Sequence, residues 1–328
     1  MKVFRKAAAA ALAAVMTAAV LVGCNEQPAT SSAPDSSKVF NVGICQYADH
    51  AALNKASEGF KKALSDKLGN RITFTETNAA ADTNACITAC GAFVEKNADL
   101  IFANGTIPLQ AAYAVTAETP IVAASVTDIA VALGFESDIT ATGLNVTGVT
   151  DMVPLKDQAD MLHELFPDEK KVGVLYCSED LGSTVQAQGI VPVLTDLGYE
   201  VKEYAFKNAD ELEAKTKAAC KSSDVIYIPA DNAAALNASV IDKIASDKKV
   251  PIVTAEEGLC ADCGAVTLTP DYSEMGYAAG EMAYDILLLG SDPGTMKFKT
   301  PDKVVKKYVP ERCEKLGVSV PDSYVKIE

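Results

Sequence analysis

Hydrophobic residues in this chain gather in short solid runs, separated by longer stretches in which they recur at helical spacing. The clearest sample is Ala98–Asp128, ADLIFANGTIPLQAAYAVTAETPIVAASVTD. Its runs Leu100–Ala103 and Ile121–Ala124 contain no polar residue, the pattern of strands buried on both faces of a parallel sheet. Between them Ile107–Ala117 predicts a helix. The same alternation begins at Val39. Phe40–Cys45 and Ile72–Glu76 predict strands, Ala51–Leu68 an amphipathic helix carrying Leu53, Ala56, Phe60 and Leu64 on one face, and Asn84–Asn97 a second helix. Gly143–Thr150 reads as polar extended chain and 151–154 as a crossover.

The pattern then restarts. Helices are predicted at Leu155–Phe166, Ser183–Leu197, Ala209–Lys221 and Asn232–Ser246, and strands at Lys171–Tyr176, Tyr199–Phe206, Val225–Pro229, Pro251–Ala255 and Ala265–Thr269. A long apolar helix, Ser273–Leu289, a loop, Gly290–Thr300, a strand, Val304–Val309, and a helix, Glu311–Leu316, complete it. Two βα arrays of similar length predict an α/β protein with two Rossmann-like lobes, each built on a parallel sheet. If the chain crosses back near Asp271 and again near Lys297, three strands join the lobes as a hinge. The expected division is then 38–149 plus 272–296 for the N-terminal lobe and 150–271 plus 297–328 for the C-terminal lobe.

The first 37 residues change the picture. Lys2, Arg5 and Lys6 followed by the Ala-rich run Ala7–Val22 read as a processed signal, residues 1–23, rather than as fold. Leu21-Val22-Gly23-Cys24 resembles a bacterial lipobox, which implies cleavage before Cys24 and acylation of that cysteine. Residues 24–37 would be the lipidated Cys and a Ser/Pro/Ala tether that cannot bury a core. No later stretch is apolar for long enough to span a bilayer. The 328-residue chain carries a formal charge of −15. Loss of the three signal cations makes the mature chain more acidic still, which argues against nucleic acid as a partner. Of nine cysteines, Cys24 alone has a clear role; Cys86 and Cys90 stand one helical turn apart, and Cys260-Ala-Asp-Cys263 is a lone C-x-x-C. With His50 and His163 the only histidines, no closed zinc site is expected, and the thiols read as small buried residues with at most one local bridge, Cys260–Cys263.

Several segments together resemble one family: GICQYADHAALNKASEGFKKAL, DLIFANGT, IVAASVTD, NVTGVTDMVPLKDQADMLHELFPDEKKVGVLY, YIPADNA and DYSEMGYAAGEMA. They are similar to the substrate-binding lipoproteins of ABC transporters whose characterised members take up tryptophan or tyrosine, and the match covers nearly the whole mature chain in order. The resemblance implies a type I periplasmic-binding-protein fold with a ligand closed between the lobes. It further implies an ABC permease with its ATPase as partner, a lipid-anchored position on the outer face of the bacterial cytoplasmic membrane, and no chemistry on the ligand. Two departures stand near the expected cleft mouth. Ala51 follows His50 where relatives often carry Pro, and the loop Gly258–Gly264 contains the C-x-x-C.

Candidate ligand groups follow the predicted strands at their carboxyl ends, where open α/β sheets bind ligands. After the first strand, Tyr47 offers a ring with a polar tip, and His50 either meets the ligand or caps the next helix. Thr106, Ser125 and Thr127 are turn residues or N-caps taken singly. As a group they would hold an α-carboxylate with helix-start N–H groups. In the second array, Ser178, Glu179 and Ser183 lie in one strand-to-helix loop, Asp231 and Asn232 in the next, and Glu256 beside Glu257 in the one after. A ligand ammonium needs a desolvated carboxylate, for which Asp231 or Glu256 is the expected partner. Asp271 with Tyr272 beside it is hinge or ligand contact, Asp128 structural, and His163 a surface or packing residue.

The expected function is capture of a small zwitterion, an aromatic amino acid foremost, by cleft closure, with no cofactor and no metal. The alternatives are a receptor of the same fold for a branched-chain amino acid or another small solute, and a ligand sensor. An extracellular enzyme is the least favoured, since the chain has no G-x-S-x-G, H-E-x-x-H or P-loop.

Overall fold

The computed structural model describes residues 37–327. Cys24 and most of the tether lie outside the described residues. The chain runs β1 (Phe40–Gln46), α1 (Ala51–Leu68), β2 (Ile72–Asn78), α2 (Thr83–Glu95), β3 (Leu100–Asn104), α3 (Thr106–Val115), β4 (Ile121–Val126), α4 (Ile129–Ala132) and β5 (Val146–Thr150). These strands form a parallel sheet in the order β2-β1-β3-β4-β5. The solid apolar runs are its centre: every residue of β3 is buried, because helices cover both faces. On one face Phe60 of α1 stacks on Phe102 of β3 with ring centroids 3.9 Å apart.

The second half runs α5 (Leu155–Leu165), β6 (Lys171–Cys177), α6 (Leu181–Asp196), β7 (Glu200–Phe206), α7 (Ala209–Ser222), β8 (Val225–Ile228), α8 (Asn232–Leu236), α9 (Ala238–Lys248), β9 (Ile252–Thr254), α10 (Glu257–Cys263) and β10 (Val266–Pro270). After α11 (Tyr272–Leu289) come β11 (Val304–Tyr308), α12 (Pro310–Leu316) and β12 (Val325–Lys326). The second sheet is ordered β12-β11-β10-β9-β8-β6-β7. It is parallel except that β11 runs antiparallel to β10, a correction to the all-parallel expectation. Helix α11 packs in the first core, with Tyr272, Met275, Ala279 and Met282 among Phe40, Val42 and Phe60. The chain therefore passes between the sheets after β5, after β10 and again near Lys299, whose backbone pairs with Gly148 and Thr150 at 2.9 Å each.

Two sequence expectations change. The single helix expected at Asn232–Ser246 is two helices, broken at Asn237, whose φ and ψ of −121° and 20° leave the helical region while its side-chain amide donates to Ala233 O at 2.8 Å. The loop expected at Gly258–Gly264 is helix α10. Glu256 accepts from Gly258 N and Leu259 N at its start, and Arg312 of α12 binds the carbonyls of Cys260, Ala261, Asp262 and Gly264 at its end. Those two charged groups satisfy both helix ends, so a seven-residue helix persists. The described cysteines are all buried and free, so Cys260 and Cys263 form no bridge. No described helix is long and apolar enough to cross a membrane.

Candidate functional site

Five strands of each sheet share one order, β2-β1-β3-β4-β5 and β7-β6-β8-β9-β10. In each the winding reverses beside the first strand, between β1 and β3 and between β6 and β8. Ligands in such sheets bind outside the carboxyl ends at that reversal. Here the two reversals face one another across a small cavity of about 30 Å³. The first lobe contributes the start of α1 (His50, Ala52, Leu53), Thr106 of α3, and Ser125 and Thr127 at the end of β4. The second contributes Asp180 and Gly182 beside α6, Ala230 to Asn232 at α8, and Glu256 at α10. Asp151 and Tyr272, on two of the connections, complete the wall.

The helix ends on the two sides differ. His50 and Gly105 stand at the N-cap positions of α1 and α3 without a side-chain capping bond, so the first-turn N–H groups there have no side-chain acceptor. In the second lobe each facing helix carries an acid on its end. Asp180 accepts from Ser183 N at 3.2 Å, Asp231 from Ala234 N at 2.8 Å, and Glu256 from Leu259 N at 2.8 Å. An anion thus meets open donors on one side and carboxylates on the other. No Lys or Arg is among the described lining residues.

Asp151 differs from the three capping acids. It is 7% exposed; Tyr272 Oη donates to its Oδ2 at 3.1 Å, and its Oδ1 has no hydrogen-bond partner. Burial pushes its carboxyl up to about 6, against the opposing pull of the Tyr272 and Thr127 hydroxyls, with Asp180 adding repulsion. Asp231 is raised by burial and by Asp180, but both its oxygens are occupied: Ala234 N donates to Oδ1, and Cys177 N and Ser183 Oγ each lie 2.6 Å from Oδ2. Burial raises Glu256, with His50 opposing. A cation entering the cavity would satisfy Asp151 at the least cost, since a buried carboxylate oxygen without a donor is the most expensive group present.

Direct bonds also cross between the lobes. Asn232 Nδ2 donates to Asp180 Oδ2 at 2.9 Å, which leaves Asn232 Oδ1 as acceptor and makes His50 Nε2, 3.0 Å away, its donor. Gln186 Nε2 donates to Thr127 Oγ1 at 3.0 Å.

Of the residues singled out by sequence, the structure brings His50, Thr106, Ser125, Thr127, Asp231, Asn232 and Glu256 to the cavity. Tyr47, Ser178, Glu179, Ser183 and Asp271 do not line it. Tyr47 packs against the first lobe's other cluster, that of Cys45, Cys86 and Leu109; Ser178 and Glu179 are exposed, and Ser183 is fully buried beneath Asp231. Asp271 is exposed and caps α11 through Ser273 N and Glu274 N. Asp128 caps α4, and His163 Nδ1 lies 3.0 Å from Tyr199 Oη, both structural as expected. Sequence reasoning missed Asp151 and Asp180; of the pair Asp271-Tyr272 it is Tyr272 that reaches the cavity. The signal for Asp180 was present, since an acid two residues before Gly182 at a strand-to-helix turn is an N-cap pattern. Among the described residues no cluster of His, Cys, Asp and Glu could hold a metal.

Comparison with known proteins accounts for this architecture. Residues 41–327 match the family of ABC transporter substrate binding proteins. A tyrosine-binding protein of Clostridioides difficile (strain R20291) is 31% identical over 300 residues, 89% of this chain and 86% of that one. Two solved structures share the fold. A Streptococcus pneumoniae ABC domain in complex with L-Trp superposes with a TM-score of 0.83 at 22% identity, covering 89% of this chain and all of that one. The ligand-free, open form of a Clostridium difficile substrate binding protein with adhesive properties gives 0.70 at 28% identity, covering 88% and 99%. Proteins of this family bind solutes outside the cytoplasm for ABC transporters and are not enzymes. The chain belongs to the ABC transporter substrate-binding protein family.

Proposed function

We propose that this protein captures an aromatic amino acid, tyrosine or tryptophan, as a zwitterion oriented by the two unlike halves of its cavity. The carboxylate lies on the first-lobe side, against the open N-termini of α1 and α3 and the hydroxyls of Thr106 and Ser125. The ammonium pairs with Asp151. The observation that carries this reading is the buried, unpartnered Oδ1 of Asp151 inside the cavity. Asp151 replaces Asp231 and Glu256 as the ammonium partner, because those two acids already hold their own helices. Support for an aromatic side chain comes from the relatives: the C. difficile protein is named for tyrosine, and the S. pneumoniae structure holds L-Trp.

The lobes, divided near 150, 271 and 297, close on the ligand about the three connections, and the closed form is presented to a permease. The higher TM-score to the L-Trp complex than to the ligand-free, open structure supports reading the present arrangement as closed. Acylated Cys24 and the tether would hold the domain at the outer face of the membrane. A second reading, a small polar amino acid, is favoured by one observation: Tyr272 supplies the sole benzene-type ring among the described lining residues.

The test is calorimetric titration of the domain from Ser36 onward, freed of co-purified ligand by unfolding and refolding, with all twenty amino acids. Saturable binding of tyrosine or tryptophan well above serine and leucine is the expected result. Preference for serine or threonine would install the second reading, and silence toward every amino acid would end both.

A further inference from the structure

The first turns of two second-lobe helices come close to the first lobe, and each does so at a glycine. A Cβ built on Gly182 of α6 would stand 2.8 Å from Thr127 Oγ1 and 3.2 Å from Thr127 Cβ. One built on Gly258 of α10 would stand 2.9 Å from Ala51 Cβ at the start of α1. Approaches below 3.0 Å require something to move. At Gly258 the same Cβ would also crowd Glu256 Oε1 of its own lobe at 2.9 Å, so the contact there is not purely between lobes. At Gly182 it is. Chain neighbours and the helix's own backbone aside, the nearest atom of its own lobe is Asp180 Oδ1, at an ordinary 3.5 Å.

Thr127 has little room to yield. It is 5% exposed, and its Oγ1 accepts from Gln186 Nε2, one turn along the same helix α6. Gln186 is itself 2% exposed and fixed by Ala230 N, which donates to its Oε1 at 3.2 Å. The helix thus brings a donor and a bare backbone to the same threonine. The donor can reach only because the backbone beside it carries no side chain. Gly182 lies inside a helix with no positive φ, a place where alanine is the better residue for the isolated lobe. Its use there serves the contact and not the helix.

We propose that Gly182 sets how far the cleft can close: the empty space at its Cα lets α6 seat on Thr127 and so fixes the population of the closed, ligand-holding state. This rests on the reading that the cavity closes on an amino acid. Gly182 is a positioning residue that acts through Thr127. Apparent affinity scales with the fraction of molecules able to reach the binding-competent state, so blocking the seat weakens binding without deleting a ligand contact.

The experiment measures the distance distribution between spin labels on exposed Glu58 and Glu179, one on each lobe, in the domain from Ser36 onward. It is run first without ligand and then with tyrosine. In Gly182→Ala the shortest inter-lobe distances seen in the parent protein should disappear, while the unliganded melting temperature stays equal or rises. Tyrosine affinity should fall at least tenfold, chiefly through faster dissociation. Adding Thr127→Ala to Gly182→Ala removes the nearest atom and should restore the short distances. Identical unliganded distributions in the parent and Gly182→Ala overturn the proposal, as does failure of the double variant to recover them. If the parent protein ignores tyrosine, the ligand reading falls alone, because the unliganded comparison has already judged Gly182.

Discussion

In the first lobe, the helices after β1 and β3 reach the cavity through His50 and Thr106, and their N-cap positions, His50 and Gly105, make no side-chain capping bond. In the second lobe, the helices after β6, β8 and β9 reach the same cavity with Asp180, Asp231 and Glu256 bound across their first-turn N–H groups. The two sheets have the same strand order over five strands, so the topology cannot account for the difference. One residue per helix does. An acidic N-cap neutralises a helix start and presents a carboxylate, whereas an uncapped start leaves donors for a ligand anion. A fold built twice thereby acquires a direction, and the zwitterion orientation proposed above rests on it.

The comparison breaks most completely if the first lobe is given the second lobe's cap. His50→Asp should close the start of α1 with an acid, raising the stability of the unliganded protein by about 1 kcal/mol. The same carboxylate would face the ligand's own, a juxtaposition that costs several kcal/mol. Titration should detect no tyrosine binding while thermal unfolding shows a higher melting temperature. Retained binding would mean that the ligand carboxylate lies elsewhere.

Next in size is Asp151→Asn. Truncating one partner of a buried charge pair costs about 2–4 kcal/mol, or roughly a hundredfold in affinity. Because the carboxyl is buried and raised to about 6, the free protein should be no less stable at pH 7 than its parent. Calorimetry and thermal unfolding on one sample separate the two effects.

Acid sharpens the same contrast. A carboxyl raised from 3.8 to about 6 binds its proton more tightly in the folded than in the unfolded chain. Its contribution therefore makes the unliganded protein more stable as pH falls from about 7 toward 4, and burial moves Asp231 and Glu256 in the same direction. The ligand ammonium needs Asp151 ionised, so affinity should fall about tenfold per unit once pH drops below about 6. Melting temperature without tyrosine and binding constant with it should move oppositely between pH 7 and pH 5. In Asp151→Asn the pH dependence of binding should flatten. The smallest effect expected is that of Asn232→Ala, which removes the contact to His50. Loss of one such bond is worth about 1 kcal/mol, a few-fold faster release by stopped-flow.

These contacts were unequally legible in the sequence. Helix Ala51–Leu68 and the starts of β3, β4 and β6 follow from apolar runs and helical spacing, which depend only on which faces are buried. Seven candidate residues reached the cavity because the carboxyl ends of parallel strands must converge there. Within each loop, however, local geometry decides direction. Asp180 turns back onto α6 and lines the cavity, while its neighbours Ser178 and Glu179 face solvent. Asp151 and Tyr272 meet across 121 positions of sequence, and only the assembled connections bring them together. Asp271 looked equivalent to Tyr272 but faces outward as a helix cap.

The most direct measurement compares tyrosine with its des-amino analogue, 3-(4-hydroxyphenyl)propionate, for binding to the parent protein and to Asp151→Asn. The parent should prefer tyrosine by roughly a hundredfold, and the variant should have lost nearly all of that preference while still binding the des-amino compound about as well as the parent does. If Asp151→Asn keeps the full preference for the amine, the ammonium lies against another group, and the ligand does not sit with its carboxylate on the first lobe and its ammonium on Asp151.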